Sequence, residues 1–174
     1  MNTLVKDLPV MDYPPLTEDL EEAKEHLDLY GMALIKNVLS ADEVDQMDNR
    51  LTEQFYGEEK FKVGSKVRGD EGFGVESSEE EKVSRLVWNL INKGDCFLKL
   101  IDHPKILPLI QHIIGERVCL CSMGAHMNGS GNERMALHQD QWPLVPHPME
   151  FPFMANVMYL ISDNSLENGG TRLI

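Results

Sequence analysis

The residues best able to do chemistry lie in the last third of the chain. They are His138-Gln139-Asp140, followed by Glu167-Asn168-Gly169-Gly170-Thr171-Arg172. Side chains on a strand alternate with period two, so His138 and Asp140 would share one face. A neutral imidazole and a carboxylate so placed supply two cis ligands of a 2-His-1-carboxylate site, which holds non-haem Fe(II) with open positions. Alone, H-x-D is a weak motif. Its surroundings strengthen it: a Gly-Ser-Gly-Asn turn at 129–132 precedes it, and a loop with four prolines between Gln141 and Pro152 follows.

Other candidate ligands are poorer. His126 and His147 are near enough in sequence to stand in as a further ligand, whereas His26, His103 and His112 read as surface or core residues of helices. Cys119 and Cys121 would share a strand face, but without a second Cys or His pair at finger-like spacing they, like Cys96, read as buried thiols. A zinc hydrolase built on the same pair would need a third ligand and a general base, and neither is recognisable.

The elements that must position the pair are legible in outline. At 174 residues, with 42% hydrophobic and 26% charged content, the chain is expected to form one globular domain over 1–174. Thr17 reads as an N-cap for a helix through Leu20, Ala23, Leu27 and Tyr30, stopped by Gly31; Met32 to Lys36 is strand-like. Ser40 and Glu43 form a capping-box pattern. Val44, Met47, Leu51 and Phe55 follow as a core stripe, with Gly57 as the expected stop. Lys60 to Glu81 reads as a long loop, and Val83 to Ile91 as strand or helix, undecided by periodicity. Asp95 is a candidate cap for a short helix, and Pro104 opens another that ends at Gly115. Val118 to Met127, Met135 to Asp140 and Met154 to Ile161 read as strands, Ser162 to Gly170 as a turn, and Thr171 to Ile174 as the start of another strand. Helices first and antiparallel strands after predict an α+β fold with a sandwich or barrel core.

Net charge of −13 argues against a nucleic-acid backbone as partner and weakly against an anionic membrane surface. No signal peptide, membrane-length apolar run or disulfide framework is evident, so a cytoplasmic location is expected.

Leu137-His138-Gln139-Asp140-Gln141, Tyr159-Leu160-Ile161-Ser162-Asp163 and Glu167-Asn168-Gly169-Gly170-Thr171-Arg172-Leu173-Ile174 together resemble the phytanoyl-CoA dioxygenase family of Fe(II)/2-oxoglutarate oxygenases. Gly31 to Ser40 is similar to that family's N-terminal strand feeding a capped helix. The resemblance implies a double-stranded β-helix (jelly-roll, cupin-like) core at about 116–174, flanked by N-terminal helices over about 1–115. It implies Fe(II) as metal, 2-oxoglutarate as cosubstrate, and His138 and Asp140 as the first two iron ligands. A carboxylate at Asp140 favours hydroxylation or a related oxidation over halogenation. The family's third ligand, a histidine in Pro-Gly-Ser-His, and its arginine for 2-oxoglutarate fall after the Gly-Gly-Thr-Arg stretch, so Arg172 is not that arginine. The jelly roll is therefore expected to be incomplete within 1–174, and its open strand edge to drive self-association. Asn128 and Asn156 are candidates to contact the cosubstrate, and Trp142 and Leu144 to contact a small-molecule substrate. The alternative is a truncated, non-catalytic jelly-roll relative that binds a ligand or partner.

Overall fold

The computed structural model describes residues 13–67, 84–128, 138, 140, 151–165, 167–171 and 173, and the chain divides into two compact units. The first runs to Val38 and includes the last three residues. Its described part is a small β-α-β arrangement: β1 (Leu16–Thr17), α1 (Leu20–Tyr30) and β2 (Leu34–Ile35), the strands pairing in parallel with Leu16 opposite Leu34. Asp19, not Thr17, caps α1, its carboxylate accepting from Glu21 N and Glu22 N. Thr17 is drawn away from the cap by its strand pairing. It is buried, accepts from Asp19 N at 3.0 Å, and donates to the Glu22 carboxylate. Gly31 ends the helix at φ 70°, donating its N–H to Leu27 O, a conformation that costs glycine little.

The second unit, Leu39–Thr171, is built around one long helix. In α2 (Ala41–Phe61), Ser40 Oγ accepts from Glu43 N while the Glu43 carboxylate accepts from Ser40 N. The helix passes through Gly57 and stops at Lys62, which adopts φ 55°. Glycine is weak in a helix but does not forbid one. Side chains on either side hold this stretch: Gln54 Nε2 donates to Glu58 Oε1 (2.8 Å), Lys93 to Glu58 (3.0 Å) and Arg85 to Glu59 (3.0 Å).

A three-stranded antiparallel sheet follows, ordered β3 (Ser65–Val67), β4 (Ser84–Trp88), β5 (Gly124–Met127). β3 lies where a loop is expected, and β4 resolves as strand a stretch whose periodicity fits strand or helix. β5 begins later than the expected Val118 because its register sets Gly124 opposite Trp88, the last residue of β4. Beyond Trp88 the chain turns through Asn89 (φ 59°) into a 3-10 turn at Leu90–Asn92, so β4 offers no further ladder to the residues before Gly124, and Met123 O accepts from Leu90 N at 3.0 Å. Cys119 and Cys121 lie there, exposed rather than buried, and Cys96 is only partly buried, packed against the core.

Two short helices complete the unit. In α3 (Asp95–Leu98), Gly94 occupies the cap position and Asp95 is the first helical residue. α4 spans Leu107–Ile114, with Pro108 rather than Pro104 in its first turn. His103 lies before α4, its Nδ1 accepting from Lys105 N at 3.2 Å. His26 is buried on α1 and His112 is exposed on α4.

The core gathers Met47, Phe55, Val87, Leu90, Phe97 and Leu100, with Leu51, Ala125, Tyr159 and Ile161 packed against it. The α2 stripe thus meets the face of the sheet that carries Val87 and Ala125. Tyr159 and Ile161 bring the segment 153–161 onto this core. The segment carries no strand assignment where a strand is expected; Phe153, Met154, Ala155, Tyr159 and Ile161 are half-buried, while Asn156, Val157, Met158 and Leu160 are exposed. The architecture is mixed helix and strand with small sheets. No described helix is long and apolar enough to cross a membrane.

Candidate metal centre

His138 Nε2 stands 3.5 Å from Asp140 Oδ1, with both side chains roughly half exposed. The two-residue spacing thus brings an imidazole nitrogen and a carboxylate oxygen together at one point. First-row divalent ions take such donors at about 2.0–2.2 Å, and two donors at right angles around one ion then stand about 3.0 Å apart. A contraction of about 0.5 Å would therefore let both bind one ion. The donor set, one borderline nitrogen and one hard oxygen, suits an octahedral first-row metal with remaining positions open.

One segment tied to the core reaches the pair through Asn156. Tyr159 Oη donates to Leu100 O (2.9 Å), and its ring meets His103 edge-on at 6.5 Å between centroids. Burial pushes the Tyr159 phenol up to about 12. Three residues earlier on the same segment, Asn156 Nδ2 donates to Asp140 Oδ2. Asn156, a candidate cosubstrate contact, thus has its amide on the candidate ligand Asp140. Asn156, Met158 and Leu160 are exposed.

Asn128, directly after β5, donates from Nδ2 to Gly169 O at 3.0 Å. This bond joins the end of the sheet to the turn of the Glu-Asn-Gly-Gly stretch. Within that turn Asn168 Oδ1 accepts from Ser165 N (2.7 Å), Asn168 Nδ2 donates to Asp163 O, and Gly170 N donates to Ser165 O (2.8 Å). Gly169 sits at φ 84°, and a Cβ there would lie 2.8 Å from Asn128 Nδ2; one on Gly170 would lie 2.7 Å from Ser165 O. Both glycines are thus required by the turn's compactness. Sequence reading recognised the turn but missed the role of Ser165 and Asn168, whose Ser-x-x-Asn spacing is the signal for side chain-to-backbone closure.

His126, considered as a stand-in ligand, lies on β5 opposite Leu86, and partial burial lowers its imidazole below the usual value. Among the described residues no group of three His, Cys, Asp or Glu side chains could hold a metal ion. Trp142, Leu144 and His147 lie outside the described residues.

Comparison with known proteins agrees with the motif. The model of the family described as Phytanoyl-CoA dioxygenase (PhyH) matches residues 27–174. The chain is 27% identical over 159 residues to "Dioxygenase af480" of Aspergillus fumigatus, an alignment covering 91% of this chain and 49% of that protein. The chain thus spans about half the length of the curated relative it matches. No solved structure matches it. The chain belongs to the phytanoyl-CoA dioxygenase family.

Proposed function

We propose that this dioxygenase-family chain carries part of a non-haem Fe(II)/2-oxoglutarate-dependent oxygenase, with His138 and Asp140 as two protein ligands of the iron. The reaction assigned to the whole protein is oxidation of a small organic molecule, most simply hydroxylation, coupled to conversion of 2-oxoglutarate and O2 into succinate and CO2. Fe(II), when bound, supplies the oxygen chemistry that side chains cannot. The observation that carries this reading is the 3.5 Å approach of His138 Nε2 to Asp140 Oδ1 at the family's H-x-D motif.

The residues then have distinct tasks. His138 offers Nε2 as a neutral donor, which requires the ring to be deprotonated at that atom. Asp140 offsets one of the ion's two positive charges and leaves its other oxygen for the protein. Both side chains are about half exposed, which supports their being reached by 2-oxoglutarate and substrate. Trp142 and Leu144 follow the pair directly and are assigned to the substrate side. Asn128, whose amide is held by Gly169 O, is assigned to shaping the cosubstrate's surroundings. A double-stranded β-helix is the core assigned to this site, supported by the family membership and by the antiparallel β3-β4-β5 sheet.

The test is an anaerobic titration with Fe(II) and 2-oxoglutarate, followed by the visible metal-to-ligand charge-transfer band. A band that disappears in Asp140→Ala is expected. A folded chain that gives no band under any loading would overturn the oxygenase reading for this polypeptide and favour a binding role without chemistry.

A further inference from the structure

We infer that Asn156 is a positioning residue for Asp140: its amide occupies Oδ2 and so presents Oδ1 to the metal beside His138. The inference rests on the metal-site reading above and assigns Asn156 a task other than contact with cosubstrate. Its basis is a division of labour within one carboxylate. Oδ1 is the oxygen that faces His138 Nε2, at 3.5 Å, while Oδ2 is the one that accepts from Asn156 Nδ2.

A carboxylate has two equivalent oxygens, so a ligand of this type can bind through either or both. The Asp140 side chain is about half exposed. Something must therefore select its rotamer. An amide N–H on one oxygen does so, and it also keeps the pair from closing on the ion in bidentate fashion. Carboxylate ligands are commonly hydrogen-bonded in this way, and loss of such a partner typically costs about 10- to 100-fold in metal affinity.

The segment that carries the amide is tied to the core. Asn156 lies three residues before Tyr159, whose hydroxyl is tied to Leu100 O at 2.9 Å and whose ring packs on the core with Ile161. The contact with Asp140 joins positions 16 residues apart in the chain, so local geometry does not impose it. An amide also suits the task chemically. It donates without carrying charge and does not titrate, whereas a Lys or Arg there would compete with the metal for the carboxylate.

The test measures Mn(II) binding to the full 174-residue chain by loss of the free-ion paramagnetic resonance signal. Wild type is compared with Asn156→Ala, the isosteric Asn156→Leu, Asn156→Gln and Asp140→Ala. Both Asn156→Ala and Asn156→Leu should weaken Mn(II) binding about 10- to 100-fold and change the zero-field splitting of the bound ion. Asn156→Gln, which keeps the donor, should recover most of the affinity. Metal-free melting temperatures should stay together, because Asn156 is exposed; if the Ala variant does not fold, the Leu variant carries the comparison. Unchanged Mn(II) affinity and spectrum in a folded Asn156→Leu, with 2-oxoglutarate binding lost, would overturn the inference and return Asn156 to the cosubstrate. Wild type that binds no Mn(II), or binds it equally well with Asp140→Ala, would instead overturn the metal-site reading beneath it.

Discussion

Replacing Tyr159 with Phe tests how the site-bearing segment is fastened to the core. The substitution keeps the ring and removes one oxygen, so no cavity of consequence is formed. What is lost is the bond from Tyr159 Oη to Leu100 O, 2.9 Å long, made to a residue that is only 8% exposed. A neutral hydrogen bond nets about 0.5–1.5 kcal/mol, and a buried carbonyl left without a donor costs about 1–3 kcal/mol. Tyr159 is partly accessible, so water can recover some of this, and about 1–2 kcal/mol is expected. For a chain of this size that is a fall in Tm of about 2–8 °C.

A second readout isolates the hydroxyl itself. The folded-state Tyr159 phenol is raised from the ordinary 10.0 to about 12 by burial. Between those values the folded chain keeps a proton that the unfolded chain releases, so the contribution is complete below pH 10 and is lost as pH climbs toward 12. Urea denaturation of both proteins from pH 8 upward should show the wild-type advantage shrinking across that window. Curves that differ by less than about 0.5 kcal/mol at pH 8 and run parallel to high pH would refute the reasoning.

Gly169→Ala should destabilise the turn by about 1–2 kcal/mol from its left-handed backbone alone, and more from the clash with Asn128. Asn128→Ala in the same background should relieve the clash part, so a thermal-denaturation double-mutant cycle should be non-additive. Ser40→Ala should cost about 0.5–2 kcal/mol through loss of the α2 cap, read by thermal melts. The Ser40 N–H and hydroxyl hold the Glu43 carboxyl below its ordinary 4.5. Their contribution is present above that value and lost as pH falls through the lower folded-state value, so the variant's acid limb should be flatter than wild type's. Phe97→Ala, at the centre of the core with 1% exposure, should cost about 3–5 kcal/mol in urea titration.

Features decided within a few residues were the ones legible in the sequence. The Ser40-Glu43 capping box, the Gly31 stop and the buried Met47 and Phe55 all depend on local spacing. Features decided by distant partners were not. Thr17 lost its cap role to a strand pairing with Ile35, and β5 started where β4 ran out at Trp88. Gly57 failed to stop α2 because Glu58 and Glu59, just beyond it, tie the helix to Lys93 and Arg85. Met154 to Ile161 read as a strand, but which of its side chains would meet the core was not legible, since Tyr159 is held there through the distant Leu100. At the site the same division holds. The meeting of His138 and Asp140 follows from a two-residue spacing, whereas the contact of Asn156 with Asp140 depends on the fold.

The most direct test of the metal site is a long-range proton–nitrogen NMR spectrum of the histidine rings, recorded as zinc is added to the metal-free chain. Zinc stands in as a diamagnetic ion for the same nitrogen and oxygen donors. The account predicts that Nε2 of His138 shifts as a bound nitrogen and that the shift is lost in Asp140→Ala. A His138 ring that ignores the metal, or a response confined to His126, would contradict it.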